Sequence, residues 1–283
     1  MTGAVAGTLR VGILTPSSNT ILEPTTTGML AGLPGVSLHF SRFRVVRIAL
    51  SADALAQFDN SAILDAADLL ADARVDVIVW SGTSAAWMGF DKDERLCAEI
   101  TRRTGIPAGT SILAIRDAFA AFGYSRIGLV TPYLPDVQQR IIANWSDAGL
   151  TITAERHLSI ADNFSFSRIT EAQVADQVRA VAASGCQVVA VLCTNMVGAG
   201  IAARLEAELG VAVFDSVATA VWDVLRLTGR QTSPLRPWGS LFGPGIQWRR
   251  HRADEPACDA PRQGPSETGP AHRLTSPGRL WAT

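Results

Sequence analysis

The chain has 283 residues, of which 47% are hydrophobic, and its 25 basic and 26 acidic side chains nearly cancel. That length can bury one large core or two smaller ones, and the charge balance excludes the basic footprint of a nucleic-acid binder. No apolar run nears the ~20 residues that span a bilayer, and MTGAVAGTLR is too short and polar for a secretory signal, so a cytoplasmic protein with neither nucleic-acid nor membrane partners is expected.

In chain order, short runs rich in Val and Ile alternate with longer segments of helical spacing. Strands are predicted over 10–15, 36–45, 75–80, 106–109, 126–131, 151–157, 187–193 and 211–214. Helices are predicted near 20–32, 52–73, 90–104, 112–122, 134–148, 170–184, 197–209 and 217–228. This alternation is the pattern of βαβ units and a parallel sheet, hence an α/β fold. Beyond RPWGSLFG the pattern stops. Residues 244–283 are rich in proline and arginine without apolar periodicity, and read as a disordered tail.

The chain reads as built twice. RVGILTP (Arg10–Pro16) matches RIGLVTP (Arg126–Pro132), VDVIVWSGTS (75–84) matches CQVVAVLCTN (186–195), and GIPAGTS (105–111) matches GVAVFDS (210–216). Three collinear matches argue for two pseudo-symmetric, Rossmann-like halves, residues 1–115 and 116–216, with 217–243 returning to brace the first. Ligands of open parallel sheets bind beyond the carboxyl ends of the strands. The matched motifs lie at those ends, so Asn19, Gly82, Tyr133 and Cys193 are expected to face one cleft.

Several chemistries lack their residues. Lysine occurs once, at Lys92, which leaves no Gly-Lys-Ser/Thr phosphate loop and a poor Schiff-base candidate in DKDER. The four cysteines show no CxxC spacing and the four histidines no HxxxH or HExxH, so neither a metal nor any other cofactor is expected. One thiol stands apart. Cys193 is expected at the end of a buried strand and the start of a helix, where the helix dipole lowers a thiol pKa. The amides of Thr194 and Asn195 would there suit a carboxylate; the alternative role is a small buried hydrophobe. Cys97 and Cys186 lack this placement, and Cys258 lies in the tail. GTS at Gly82, Thr83 and Ser84 offers a second set of amides and two hydroxyls, with glycine permitting close approach of a ligand, or else a simple helix cap. Asn19 in TPSSNT, Tyr133 in TPYLPD and Asn163 in SIADNFSFSRI also follow strands; each could donate to a ligand, and turn chemistry would equally account for the two asparagines.

Over roughly residues 8–243 these motifs resemble the maleate isomerase and arylmalonate decarboxylase group of the Asp/Glu racemase superfamily. VGILTPSSNT resembles the maleate isomerase opening. The resemblance implies that Asn19 binds a substrate carboxylate, that Cys193 is catalytic, and that Tyr133 and Asn163 bind substrate. The chain departs from the two-cysteine pattern at Gly82, where GTSAAWMG resembles the decarboxylase branch. Arg42, Arg44 and Arg47 in HFSRFRVVRI would make the site more polar than an arylmalonate pocket if they entered it, and are otherwise surface charge. One thiol can serve one face of a substrate carbon. The expected function is therefore cofactor-independent decarboxylation of a small carboxylic or dicarboxylic acid, followed by protonation from Cys193. The alternatives are a maleate cis-trans isomerase or Asp/Glu-type racemase, including the isomerase-like proteins of ectoine breakdown, and a non-enzymatic carboxylate binder. The expected partner is a small carboxylate substrate, with self-association into a homo-oligomer left open.

Overall fold

The computed structural model describes residues 8–243; the tail 244–283 and Cys258 lie outside the described residues. Two four-stranded parallel sheets carry the chain. The first contains β1 (Leu9–Pro16), β2 (Val36–Phe43), β3 (Val77–Trp80) and β4 (Ala108–Thr110), in the order β2-β1-β3-β4. The second contains β5 (Arg126–Thr131), β6 (Thr151–His157), β7 (Val188–Val191) and β8 (Ala212–Asp215), in the order β6-β5-β7-β8. The same order twice is the tertiary counterpart of the internal repeat. VIVW of β3 and VVAV of β7 are buried throughout, as expected of central parallel strands covered on both faces.

The helices follow from local signals. Helix α1 (Leu22–Leu30) joins β1 to β2. The short α2 (Ala52–Ala56) and α3 (Asn60–Asp72) precede β3, and the short α4 (Ala85–Met88) and α5 (Phe90–Thr104) precede β4. In α5, Asp91 and Asp93 occupy the first turn and Arg102 and Arg103 the last, complementing the dipole, and left-handed Gly105 closes it. Next come α6 (Ser111–Phe122) and α7 (Pro135–Asp147). Helix α8 (Glu171–Ala182) starts with a reciprocal Thr170–Gln173 capping box. Helix α9 (Ala202–Leu209) follows β7, and the almost wholly buried α10 (Ser216–Leu227) packs on β3 and β4 of the first sheet and on α6. None of the described helices is long and apolar enough to cross a membrane.

Two of the predicted helices differ in extent by several residues, each for a tertiary reason. The helix predicted over 52–73 breaks at Gln57–Asp59. The Gln57 side chain accepts from the Val46 N–H at 2.7 Å and donates to the Arg47 carbonyl at 3.0 Å, satisfying backbone beyond the end of β2. Asp59 then caps α3 through the Ser61 N–H at 2.8 Å. The helix predicted from 197 begins only at Ala202, after a 3-10 turn over Ala199–Ile201. Before that turn the chain passes so close to β8 that a Cβ on Gly198 would overlap the Asp215 carboxylate, which holds 193–198 as a turn.

Candidate active site

The loops beyond the carboxyl ends of the two sheets meet in a small cavity of about 20 Å³. By general experience that is room for a water molecule or so. The first half contributes Gly82, Thr83 and Ser84, and the second contributes Tyr133, Asn163, Cys193 and Thr194. Val45, Ile48, Phe58, Trp80 and Trp87 form apolar walls. Every side chain expected in the site lines this cavity except Asn19.

Cys193 does not end its strand, which stops at Val191. It sits in a turn closed by the Met196 N–H donating to its carbonyl at 3.2 Å. The expected lowering of its pKa by a helix dipole is therefore overturned, because no helix starts there. Burial instead pushes the Cys193 thiol up to about 12, outweighing the Asn195 backbone N–H and the Tyr133 hydroxyl that favour thiolate. The buried Asp215 carboxyl adds to the rise. In this cavity burial favours the thiol over the thiolate.

Tyr133 joins the two halves. Its hydroxyl lies 2.6 Å from Thr83 Oγ1 of the first half and also contacts the Cys193 thiol of the second. Burial raises the phenol well above its ordinary pKa, so it stays a neutral donor. Trp87 and Phe166 meet its ring edge-on at centroid distances of 5.3 and 5.6 Å and fix its orientation.

A second polar seam runs behind Thr194. Asn19 Nδ2 donates to Thr194 Oγ1 at 3.1 Å, while its Oδ1 accepts from the Ile21 and Leu22 amides at 3.0 and 2.9 Å. Asn19 thus ties down the chain entering α1 and steadies a cavity hydroxyl from behind. Asn195, whose side chain the sequence reading passed over, accepts from the Thr20 N–H at 3.0 Å and donates to the Asn163 carbonyl at 2.6 Å. Asn163 Nδ2 donates to Ser18 Oγ at 2.8 Å, and Ser18 donates to the Val45 carbonyl at 2.7 Å. The only sequence signal for Asn195 was its place beside Cys193 and Thr194; its partners lie on distant loops.

The arginines stay outside. Arg42 pairs with Glu23 at 2.8 Å and donates to the Ser17 and Asn19 carbonyls at 2.9 and 3.0 Å, bracing the loop after β1. Arg44 and Arg47 are exposed. Next to the cavity, sharing Phe58 and Ser84 with it, opens a larger cleft of about 360 Å³ that also holds Lys92, Asp93 and Arg95. It lacks the thiol and the paired hydroxyls, so the small cavity is the better site for chemistry. Among the described residues no group of three or more His, Cys, Asp or Glu is placed to hold a metal ion.

Comparison with known proteins shows the family and the fold. Residues 33–241 match the family model described as arylmalonate decarboxylase. A maleate isomerase of Nocardia farcinica is 26% identical over 230 residues, covering 78% of this chain and 90% of that protein. An arylmalonate decarboxylase of Bordetella bronchiseptica is 28% identical over 183 residues, covering 64% of this chain and 76% of that protein. Among solved structures, the Nocardia farcinica maleate cis-trans isomerase with a covalently bound succinylcysteine intermediate superposes with a TM-score of 0.76 at 24% identity, covering 83% of this chain and 98% of that one. An arylmalonate decarboxylase mutant in a liganded form gives 0.72 at 22% identity, covering 83% and 99%.

Proposed function

Since the chain belongs to the arylmalonate decarboxylase family, we propose that it decarboxylates a small malonate-type acid and protonates the product from Cys193. The observation that carries this reading is the asymmetry of the cavity: one buried thiol on the second half and glycine at Gly82 on the first. A neutral thiol can protonate one face of a carbanion, whereas racemisation needs an acid or base on each face.

In the proposed cycle the retained carboxylate lies among Thr83, Ser84, Thr194 and the Tyr133 hydroxyl. The carboxylate to be lost lies against Val45, Ile48 and Trp87, where shedding charge is favoured. The carbon–carbon bond to that group breaks, CO2 leaves, and the electron pair passes into an enediolate held by the same donors. Cys193 then gives its S–H proton to the α-carbon, and the thiolate takes a proton back from solvent. The Asn195 N–H and the Tyr133 hydroxyl, both of which favour the thiolate, support it in the interval.

A second reading, cis-trans isomerisation of a dicarboxylate such as maleate, draws on the broader coverage of the maleate isomerases. It requires a nucleophile, and Cys193 held as a thiol would have to serve as both nucleophile and acid. The test is to incubate the protein with malonate, methylmalonate and maleate in deuterated buffer. Release of CO2 with one deuterium at the α-carbon, abolished by Cys193→Ser, is expected. Conversion of maleate to fumarate without gas would establish the second reading instead.

A further inference from the structure

Trp80 closes β3 and is 1% exposed, yet nothing in the proposed chemistry uses it. Its indole packs at a tilt against Phe43, with ring centroids 4.9 Å apart, and its Nε1 lies 3.4 Å from Ser84 Oγ. It forms the cavity wall on the side of Gly82. A Cβ built on Gly82 would overlap the six-membered ring of Trp80. Gly82 has an ordinary backbone, since it is absent from the glycines with positive φ. Glycine is required there by the indole rather than by the turn.

We propose that Trp80 is the specificity-determining residue of this site. Seated on Gly82, its indole occupies the volume that an aryl substituent, or a thiol on the first half, would need, and so restricts the substrate to small aliphatic acids. Three observations support this. The cavity is about 20 Å³, far below the ~150 Å³ that accepts a benzene ring. Room for a small acid has to come from a wall that can yield. Trp80 is clamped by Phe43, Ser84 and Gly82, whereas Phe58 lies in the break between α2 and α3 and lines both the cavity and the neighbouring cleft. Opening toward the cleft enlarges the site without freeing the face over Gly82. Last, the indole excludes any side chain at position 82, so the one-thiol character of the site and its size limit share a single cause.

The proposal rests on the decarboxylase reading for its substrate class and on packing alone for the Trp80–Gly82 pair, and the experiment separates the two. Melting temperatures are measured for the wild type, Gly82→Ala, Trp80→Leu and the double variant. Gly82→Ala is expected to lower the wild-type melting temperature by roughly 3–10 °C, as overpacking of a filled site does. In the Trp80→Leu background the same change should cost less than about 2 °C. Equal costs in both backgrounds would overturn the pairing. Affinities for malonate, methylmalonate and phenylmalonate are then measured by calorimetry. The wild type should prefer malonate to phenylmalonate, and Trp80→Leu should raise the phenylmalonate-to-malonate affinity ratio by roughly 10–200-fold. Should Trp80→Leu fail to fold, Trp80→Phe gives a smaller rise in the same direction. A wild type that binds phenylmalonate as tightly as malonate, or an unchanged ratio in the variant, overturns the size limit. Failure of the wild type to bind any of the three acids overturns the decarboxylase reading and the substrate class with it, while the melting cycle still decides the packing pair.

Discussion

Replacing Asn195 by alanine tests whether the polar seam behind the cavity holds the two halves in register. The side chain accepts from the Thr20 N–H at 3.0 Å and the Ile21 N–H at 3.3 Å, and it donates to the Asn163 carbonyl at 2.6 Å. Ile21 keeps a second acceptor in Asn19 Oδ1 at 3.0 Å, so truncation takes a partner from two groups, the Thr20 N–H and the Asn163 carbonyl at the start of the 3-10 turn Phe164–Arg168. An unsatisfied buried group costs about 1–3 kcal/mol. Thr20 is exposed and its amide can turn to water, whereas Asn163 is buried, which places the total at about 1–3 kcal/mol. For a chain of this size that is a fall of roughly 2–12 °C in melting temperature. Turnover should fall as well, since the N–H of residue 195 faces the Cys193 thiol. Thermal melts followed by circular dichroism measure the first effect and CO2 release the second. Asn195→Asp sharpens the argument. Its carboxylate keeps the acceptor but confronts the Asn163 carbonyl, and on protonation it becomes a donor again, so its stability should recover as pH falls. A loss below about 2 °C for Asn195→Ala, or an Asn195→Asp variant indifferent to pH, would refute the claim that this side chain joins the halves.

Cys193→Ser should lower turnover by roughly three orders of magnitude or more, because a hydroxyl is a far weaker acid at neutral pH; Cys97→Ser, away from the cavity, should stay within a few-fold in the same assay. Because burial holds Cys193 protonated, its alkylation by iodoacetamide at pH 7.5 should be much slower than that of a model thiol in the same buffer, and comparable rates by mass spectrometry would contradict the assigned protonation state. Tyr133→Phe removes the hydroxyl shared by Thr83 and Cys193 and should reduce kcat by roughly 10–100-fold with little change in fold, checked by steady-state kinetics beside a circular dichroism spectrum. Burial raises the Asp93 carboxyl to about 7, with its Oδ2 lacking a hydrogen-bond partner. The folded state therefore holds a proton that the unfolded chain has lost above its ordinary value near 3.8, so this group's contribution is full below about pH 4 and is lost as pH rises through about 7. Asp93→Asn should accordingly raise the urea midpoint more at pH 8 than at pH 4.5, and an equal effect at both would show that the carboxyl does not titrate as described.

The alternation of Val-rich runs with helical spacing was enough to place all eight strands and to reveal the repeat, because period and burial are written into each segment locally. The same positional logic brought Gly82, Thr83, Ser84, Tyr133, Asn163, Cys193 and Thr194 to one cavity, since residues beyond the ends of parallel strands share a cleft whatever their partners. What the tertiary structure decided depends on contacts between residues far apart in the chain. Asn19 turns to Thr194 across 175 positions and so stands behind the cavity wall rather than in it. Gln57 leaves its helix to satisfy the backbone of Val46 and Arg47. Gly198 passes against Asp215 and delays the next helix, which removes the dipole that would have acidified Cys193. The protonation state of that thiol is set by how completely it is desolvated, and the shape of the site by an indole resting on Gly82. That desolvation arises only when both halves close on each other, and the indole takes its seat on Gly82 only once Phe43 and Ser84 pack around it, so no local pattern in the sequence encodes either.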